Sequence, residues 1–234
     1  MELPQIDDYQ RLFINDVPMM VVRAPVEYEQ GAFPHTVNLP LMNDEERHDV
    51  GIRYKEAGQD EAITLGHELV SGEIKQARVN DWQHFTEDHP EGVLYCFRGG
   101  MRSKISQQWI YEQTGVVYPR VKGGYKAMRR FLLNELDTAA RNIKPTVISG
   151  RTGTGKTVLL QQLKHMIDLE QIYHHRGSVF GIHATPQPGQ IDAENQLAIQ
   201  LLKFRYHNIQ QLAFEDESAN IGSRRITENI HALL

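Results

Sequence analysis

The chain has 234 residues, 40% hydrophobic and 24% charged, which suits one or two cored domains and excludes a disordered tail. No apolar run approaches the ~18 residues of a bilayer span, and Met1-Glu2-Leu3-Pro4-Gln5 has neither the basic start nor the apolar stretch of a secretion signal, so a cytoplasmic protein without a membrane partner is expected. A single cysteine, Cys96, excludes an internal disulfide, and a net charge of −5 excludes a uniformly basic nucleic-acid binder, although residues 98–156 hold 12 basic and 3 acidic residues.

Taken in chain order, Met19-Met20-Val21-Val22 is a short apolar run that predicts a buried strand, ended at Pro25. Glu27 to Gln30 predicts a helical turn stopped by Gly31, and Thr36 to Pro40 a second strand. Residues 43–83 read as polar and mostly helical, with Leu65, Leu69 and Ile74 at helical spacing. Gly92 to Tyr95 predicts a third strand leading into Cys96. Ser103 to Thr114 predicts a helix with Ile105, Trp109 and Ile110 on one face, and Val116 to Tyr118 a fourth strand closed by Gly123-Gly124. A basic amphipathic helix follows over 125–142, bearing Met128, Phe131, Leu132 and Leu136. The β-branched run Thr146 to Ser149 predicts a strand, then a Gly-rich turn and a helix from Thr157 to Met166. His174 to Gln190 reads as loop, Ala193 to Phe204 as helix, and Gln211 to Phe214 as a strand ending in Glu215-Asp216-Glu217. Strands alternating with helices predict parallel α/β sheets in two domains, 1–140 and 141–234.

Two loops carry the chemistry. Cys96-Phe97-Arg98-Gly99-Gly100-Met101-Arg102-Ser103 lies between a strand and a helix, where backbone N–H groups and the helix N-terminus favour an anion, and a thiolate at Cys96. Gly99 and Gly100 let the backbone curl, and Arg98 and Arg102 can add charge-assisted hydrogen bonds. The loop suits a thiolate, persulfide, selenide or tetrahedral oxyanion, which makes Cys96, Arg98 and Arg102 candidate catalytic residues. The plainer alternative is a buried structural cysteine before an ordinary helix start.

The second loop, Gly150-Arg151-Thr152-Gly153-Thr154-Gly155-Lys156-Thr157, fits G-x-x-x-x-G-K-[ST], the phosphate-binding P-loop, with a strand before it and a helix after. Backbone N–H groups of Gly153 to Thr157 are expected to cradle a phosphate, Lys156 to reach the outer phosphates, and the Thr157 hydroxyl to hold a magnesium ion. Gly150, Gly153, Thr154, Gly155, Lys156 and Thr157 are thus candidate binding residues. Asp216, or Glu215 beside it, is the candidate second metal ligand, against the alternative of a solvated strand end. His174, His175 and His183 match no trusted metal spacing and read as a surface or phosphate-facing loop.

The cysteine loop resembles that of the rhodanese (sulfurtransferase) domain. Val22-Arg23-Ala24-Pro25-Val26-Glu27-Tyr28 with Gly31 and Asn38-Leu39-Pro40 resemble that family's opening motif, and Val121-Lys122-Gly123-Gly124-Tyr125-Lys126-Ala127 its closing one, so the likeness covers about residues 5–130. Val21 stands where rhodaneses usually carry Asp. The Cys96-to-Arg102 span is one residue longer than in the commonest rhodanese loop and fits equally the cysteine phosphatases of the same fold. A rhodanese domain directly ahead of a P-loop domain, with Tyr95 to Ser103, His175 to Gly181, Phe214 to Ser218 and Ile221-Gly222-Ser223, resembles the tRNA 2-selenouridine synthase family along nearly the whole chain.

That resemblance implies an α/β fold: an N-terminal rhodanese-like domain with a parallel sheet, then a P-loop NTPase-like α/β domain left incomplete, since about three strands follow Gly150 and family members continue further. It implies a transferase that replaces sulfur by selenium at C2 of wobble 2-thiouridine in tRNA. Selenophosphate is the donor, and the route passes through S-geranylated thiouridine made from geranyl diphosphate. Cys96 would carry or deliver the chalcogen, Arg98 and Arg102 would steady the developing anion, and the P-loop would hold a diphosphate, whether of geranyl diphosphate, ATP or GTP. A selenophosphate-supplying enzyme is the implied protein partner. Arg120, Lys122, Lys126, Arg129 and Arg130 would follow the tRNA backbone, and Tyr118 or Tyr125 would stack on an extruded base unless both are core. The rival readings are a phosphatase using Cys96 and Arg102, or a sulfur carrier, each with the P-loop as a regulatory nucleotide site.

Overall fold

A computed structural model describes residues 2–151, 154–176 and 181–234. The chain parts into two compact units, the first running up to Gln30 and over His35–Met128, the second comprising Gly31–Pro34 and Arg129–Leu234.

The first unit runs β1 (Gln5–Ile6), α1 (Tyr9–Ile14), β2 (Met19–Val21), α2 (Pro25–Glu29), β3 (Thr36–Asn38), α3 (Asp44–Ala57), α4 (Gln59–Leu69), α5 (Gly72–Asp88), β4 (Val93–Tyr95), α6 (Met101–Thr114) and β5 (Arg120–Val121). The five strands pair in parallel in the order β1-β5-β4-β2-β3. Every residue of β2 and β4 is buried, as a parallel sheet covered on both faces requires. Trp82 of α5 and Trp109 of α6 stack at 6.3 Å in the core, and the Trp82 indole donates to the Leu39 carbonyl at 3.0 Å.

Three expectations are corrected here. The strand expected at Val116 to Tyr118 lies further on, at Arg120–Val121. Pro119 offers only a carbonyl to the ladder, taken by the Leu94 N–H at 3.0 Å, and pairing with β1 starts at Arg120. The helical region over 43–83 is cut into three at Gly58 and Ser71; Ala62, Val70, Val79 and Trp82 are buried there, Leu65 and Leu69 are half-buried, and Ile74 is exposed. The turn at α2 begins at Pro25, a residue whose fixed φ suits a helix start.

α7 (Gly124–Asn142) begins in the first unit and ends in the second. Its later part is tied to the second unit by an Arg129–Glu194 ion pair, by Arg205 Nε donating to Glu135 at 2.8 Å, and by Asn229 Nδ2 donating to Asp137 at 2.7 Å. There follow β6 (Lys144–Ile148), α8 (Lys156–Gln161), β7 (Met166–Ile167), α9 (Leu169–Tyr173), α10 (Gln190–Tyr206), β8 (Gln211–Glu215), β9 (Asn220–Ile221), β10 (Arg224–Arg225) and α11 (Glu228–His231). β6, β8 and β7 form a parallel three-stranded sheet in that order, and β9 and β10 an antiparallel pair. The helix expected to reach Met166 stops at Gln161, because the His165 carbonyl accepts the Ala213 N–H at 2.9 Å and draws Met166 and Ile167 into the sheet beside β8. Among the described residues no helix is long and apolar enough to cross a membrane.

Candidate functional site

β4 delivers Cys96 to its C-terminal end, and α6 starts five residues later at Met101. The loop between them is held from behind by the Gly123-Gly124 turn. The Tyr125 and Lys126 N–H groups, which at a helix start have no partner inside the helix, donate to the carbonyls of Cys96 (3.0 Å) and Phe97 (2.9 Å). The backbones press so close that a Cβ on Gly124 (φ 57°) would lie 2.3 Å from the Cys96 oxygen, and one on Gly99 (φ 64°) 2.6 Å from the Gly123 nitrogen. Arg120 adds a hydrogen bond to the Gly99 carbonyl at 2.8 Å.

Cys96 is 3% exposed, and its sulfur lies 3.3 Å from the Ser103 hydroxyl, which in turn donates to the Gly100 carbonyl at 3.0 Å. It belongs to the hydrophobic core cluster of the first unit, with Met20, Val22, Leu94 and Trp109, and it also borders a cleft. Cys96, Phe97, Arg98 and Gly100 line a cleft of about 590 Å³ together with Arg47, His48 and Lys55 of α3. Arg98 is exposed at the rim, its guanidinium 6.0 Å from the Phe97 ring centre. Arg102 also lines the cleft, but its guanidinium fork is committed to Glu27, with Nη2 3.1 Å from Oε1 and a second contact from Nη1. Burial alone would raise the Glu27 carboxyl. The Arg102 hydrogen bonds and charge, with the Ala24 N–H, outweigh it and hold Glu27 below the ordinary range. Arg23, 1% exposed, lies 4.2 Å from the Tyr125 ring centre and 5.7 Å from that of Phe97. Glu27, Ser103 and Arg23 were not among the expected site residues.

The two tyrosines expected to stack on a base are core residues. Tyr118 is 1% exposed with its hydroxyl on the His89 carbonyl, and Tyr125 is 7% exposed beneath Arg23. Of the basic run, Lys122, Lys126 and Arg130 face solvent, whereas Arg120 and Arg129 are engaged in the contacts given above.

In the second unit the phosphate-loop residues stand between β6 and α8. Gly153 lies outside the described residues. The Lys156 ammonium donates to the Gly150 carbonyl at 2.9 Å and lies 3.4 Å from Glu215 Oε1, while the Thr154 hydroxyl donates to the Arg151 carbonyl at 2.8 Å. Gly155 is left-handed, with φ 87°, at the cap of α8. The acid that meets Thr157 is Glu215, whose Oε2 accepts the hydroxyl at 3.2 Å. Asp216, the next residue of the chain, accepts from Ser149 at 2.5 Å instead. Carboxylate oxygens of Glu170, Glu215 and Glu217 come within 4.8 Å of one another. Burial, then the charges of Glu170 and Glu215, push the Glu217 carboxyl up to about 7. Burial and the neighbouring Glu215 and Asp168 likewise raise Glu170. His174 and His183 stack at 4.3 Å, and His174 Nε2 lies 2.6 Å from the Thr185 hydroxyl.

Residues 143–234 match the family model of the tRNA 2-selenouridine synthase AAA domain. Curated proteins named tRNA 2-selenouridine synthase are similar along nearly the whole chain. The Marinobacter nauticus protein is 55% identical over 98% of this chain and 62% of its own length. The Bordetella bronchiseptica protein is 57% identical over 92% and 59%, and that of Sulfurovum sp. (strain NBC37-1) 53% identical over 94% and 60%. The chain therefore spans about 60% of the length of these relatives. A crystal structure of the N-terminal domain of a candidate ATP/GTP-binding protein from Clostridium difficile 630 is 32% identical over 55% of this chain and 98% of that one, at a TM-score of 0.47. The likeness to the tRNA 2-selenouridine synthases that the motifs imply is thereby shown.

Proposed function

We propose that this relative of the tRNA 2-selenouridine synthases forms 2-selenouridine in tRNA, as they are named to do, and that it does so from wobble 2-thiouridine with selenium from selenophosphate. One observation carries the reading: the single cysteine follows a strand at the head of a clamped loop, meets a hydroxyl at 3.3 Å, and borders a cleft also lined by Arg98, Arg47 and Lys55. A selenium anion entering that cleft would find those cations and the sulfur among its lining residues. The first unit is read as a rhodanese-type domain, a reading supported by its five parallel strands and the Cys96 loop at a strand end. The commitment of Arg102 to Glu27 weighs against the phosphatase alternative, which needs that guanidinium on a phosphate.

The second unit serves the prenyl step, with Lys156 and the loop N–H groups on the diphosphate of geranyl diphosphate. The acids fit a divalent cation. Three carboxylates share one small volume, and two of them are raised by burial first and then by the neighbouring carboxylates, a charge that a cation offsets. Thr157 and Glu215 would hold a magnesium ion, with Glu170 and Glu217 beside them, and the bound ion would neutralise diphosphate charge. The exposed Lys122, Lys126 and Arg130 are the residues offered to tRNA phosphates.

Mass spectrometry of wobble nucleosides, in cells that encode this chain and in the same cells with its gene deleted, tests the reading. Loss of 2-selenouridine on deletion is expected, and an unchanged nucleoside profile would refute it.

A further inference from the structure

We propose that Ser103 is a positioning residue for the chemistry of Cys96, its buried hydroxyl turning from the Gly100 carbonyl to the sulfur as the thiol loses its proton. Ser103 stands in the first turn of α6, seven residues after Cys96, and is 0% exposed. Its Oγ lies 3.0 Å from the Gly100 carbonyl and 3.3 Å from Cys96 Sγ. Among the described residues, this hydroxyl is the hydrogen-bond partner that the sulfur has. A sulfur that belongs to the core cluster and carries a negative charge needs such a donor.

While the thiol keeps its proton, the S–H donates to Ser103 Oγ and the O–H donates to the Gly100 carbonyl. Once that proton leaves for solvent in the cleft, the sulfur is an acceptor alone, and the hydroxyl hydrogen turns toward it about the Cβ–Oγ bond. Ser103 gives up no proton, and no heavy atom moves, because both acceptors already lie within reach of one Oγ. The turn does not orphan the Gly100 carbonyl, since the Lys104 N–H still donates to it at 3.1 Å. Ser106 of the same helix is equally buried, but its hydroxyl donates to the Arg102 carbonyl at 3.0 Å and not to the sulfur. The inference rests on the function proposed above, in which Cys96 handles selenium, and adds the residue that supports its sulfur as an anion.

Cys96 is the chain's single cysteine, so the mass of the whole protein after iodoacetamide treatment reports this sulfur alone. One charge-assisted hydrogen bond moves a protonation equilibrium about ten- to a hundred-fold. A more basic thiolate is also the stronger nucleophile, which returns part of that loss. Ser103→Ala should therefore slow alkylation about three- to ten-fold on the rising limb of the pH–rate profile and displace that limb to higher pH, with the deficit closing at alkaline pH. Alanine favours a helix and leaves the Gly100 carbonyl its Lys104 bond, so the variant keeps the fold. Ser103→Thr, which retains the hydroxyl, and Ser106→Ala should both follow the parent profile. Glu27, Arg47, His48, Lys55, Arg98 and Arg102, the charged groups bordering the cleft, are the same in every variant, so their effect cancels in the comparison. A Ser103→Ala profile coincident with the parent's, a deficit equal at every pH, or the same displacement in Ser106→Ala or Ser103→Thr would overturn the inference. The predicted profiles together with unchanged wobble nucleosides after gene deletion would keep the role of Ser103 and remove the proposed function. Coincident profiles together with loss of 2-selenouridine would do the reverse.

Discussion

Glu27 decides where Arg102 points. The pair is partly buried, with the Glu27 side chain 12% and the Arg102 side chain 22% exposed, and Glu27 also accepts the Ala24 N–H at 3.1 Å. Charge-assisted hydrogen bonds of this kind contribute about 1.5–3 kcal/mol, so Glu27→Gln should lower unfolding free energy by about that much in urea titration. The pH dependence follows from the same contacts. Glu27 takes up its proton more readily in the unfolded chain, at the ordinary carboxylate value of 4.5, than in the folded one. Its contribution is therefore full above that value and is lost as pH falls below it, through the depressed folded value. Stability curves measured between neutral and acid pH should fall less steeply on the acid side for Glu27→Gln than for the unchanged protein. The role of Glu27 was not legible in the sequence because its partner lies 75 positions away. Cys96, Gly99 and Gly100 were legible because their chemistry is local: a thiol and two small residues between a strand and a helix.

At the scale of elements, strands with a run of apolar or β-branched residues were readable, as in β2, β4, β6 and β8. The two-residue strands β1, β5, β7, β9 and β10 are defined by the neighbour they pair with and leave no local pattern. The same limit moved the fourth strand beyond Pro119, since the ladder position of Arg120 is set by Gln5 and Leu94. The phosphate loop was readable as a motif, but the choice between Glu215 and Asp216 was not. Glu215, the last residue of β8, meets Thr157, whereas Asp216, one residue past the strand, meets Ser149. Lys156→Ala should weaken geranyl diphosphate binding about ten- to a hundred-fold by calorimetry, the value of one charge-assisted contact. Glu215→Gln should reduce the dependence of that binding on magnesium.

At the scale of the molecule, the acidic chain carries a basic middle, and the structure divides that excess. Part is held in internal pairs such as Arg102–Glu27 and Arg129–Glu194, and part is left at the surface on Lys122, Lys126 and Arg130. The relatives extend well beyond the matched length, while the second unit builds its parallel sheet from three strands. The account stands on Cys96 as the group that handles selenium in the cleft. Replacing it by Ala in the chromosomal gene and measuring wobble nucleosides by mass spectrometry tests that claim most directly. Loss of 2-selenouridine, with normal protein abundance, is the predicted result; 2-selenouridine at the parental level in the Cys96→Ala cells would contradict it.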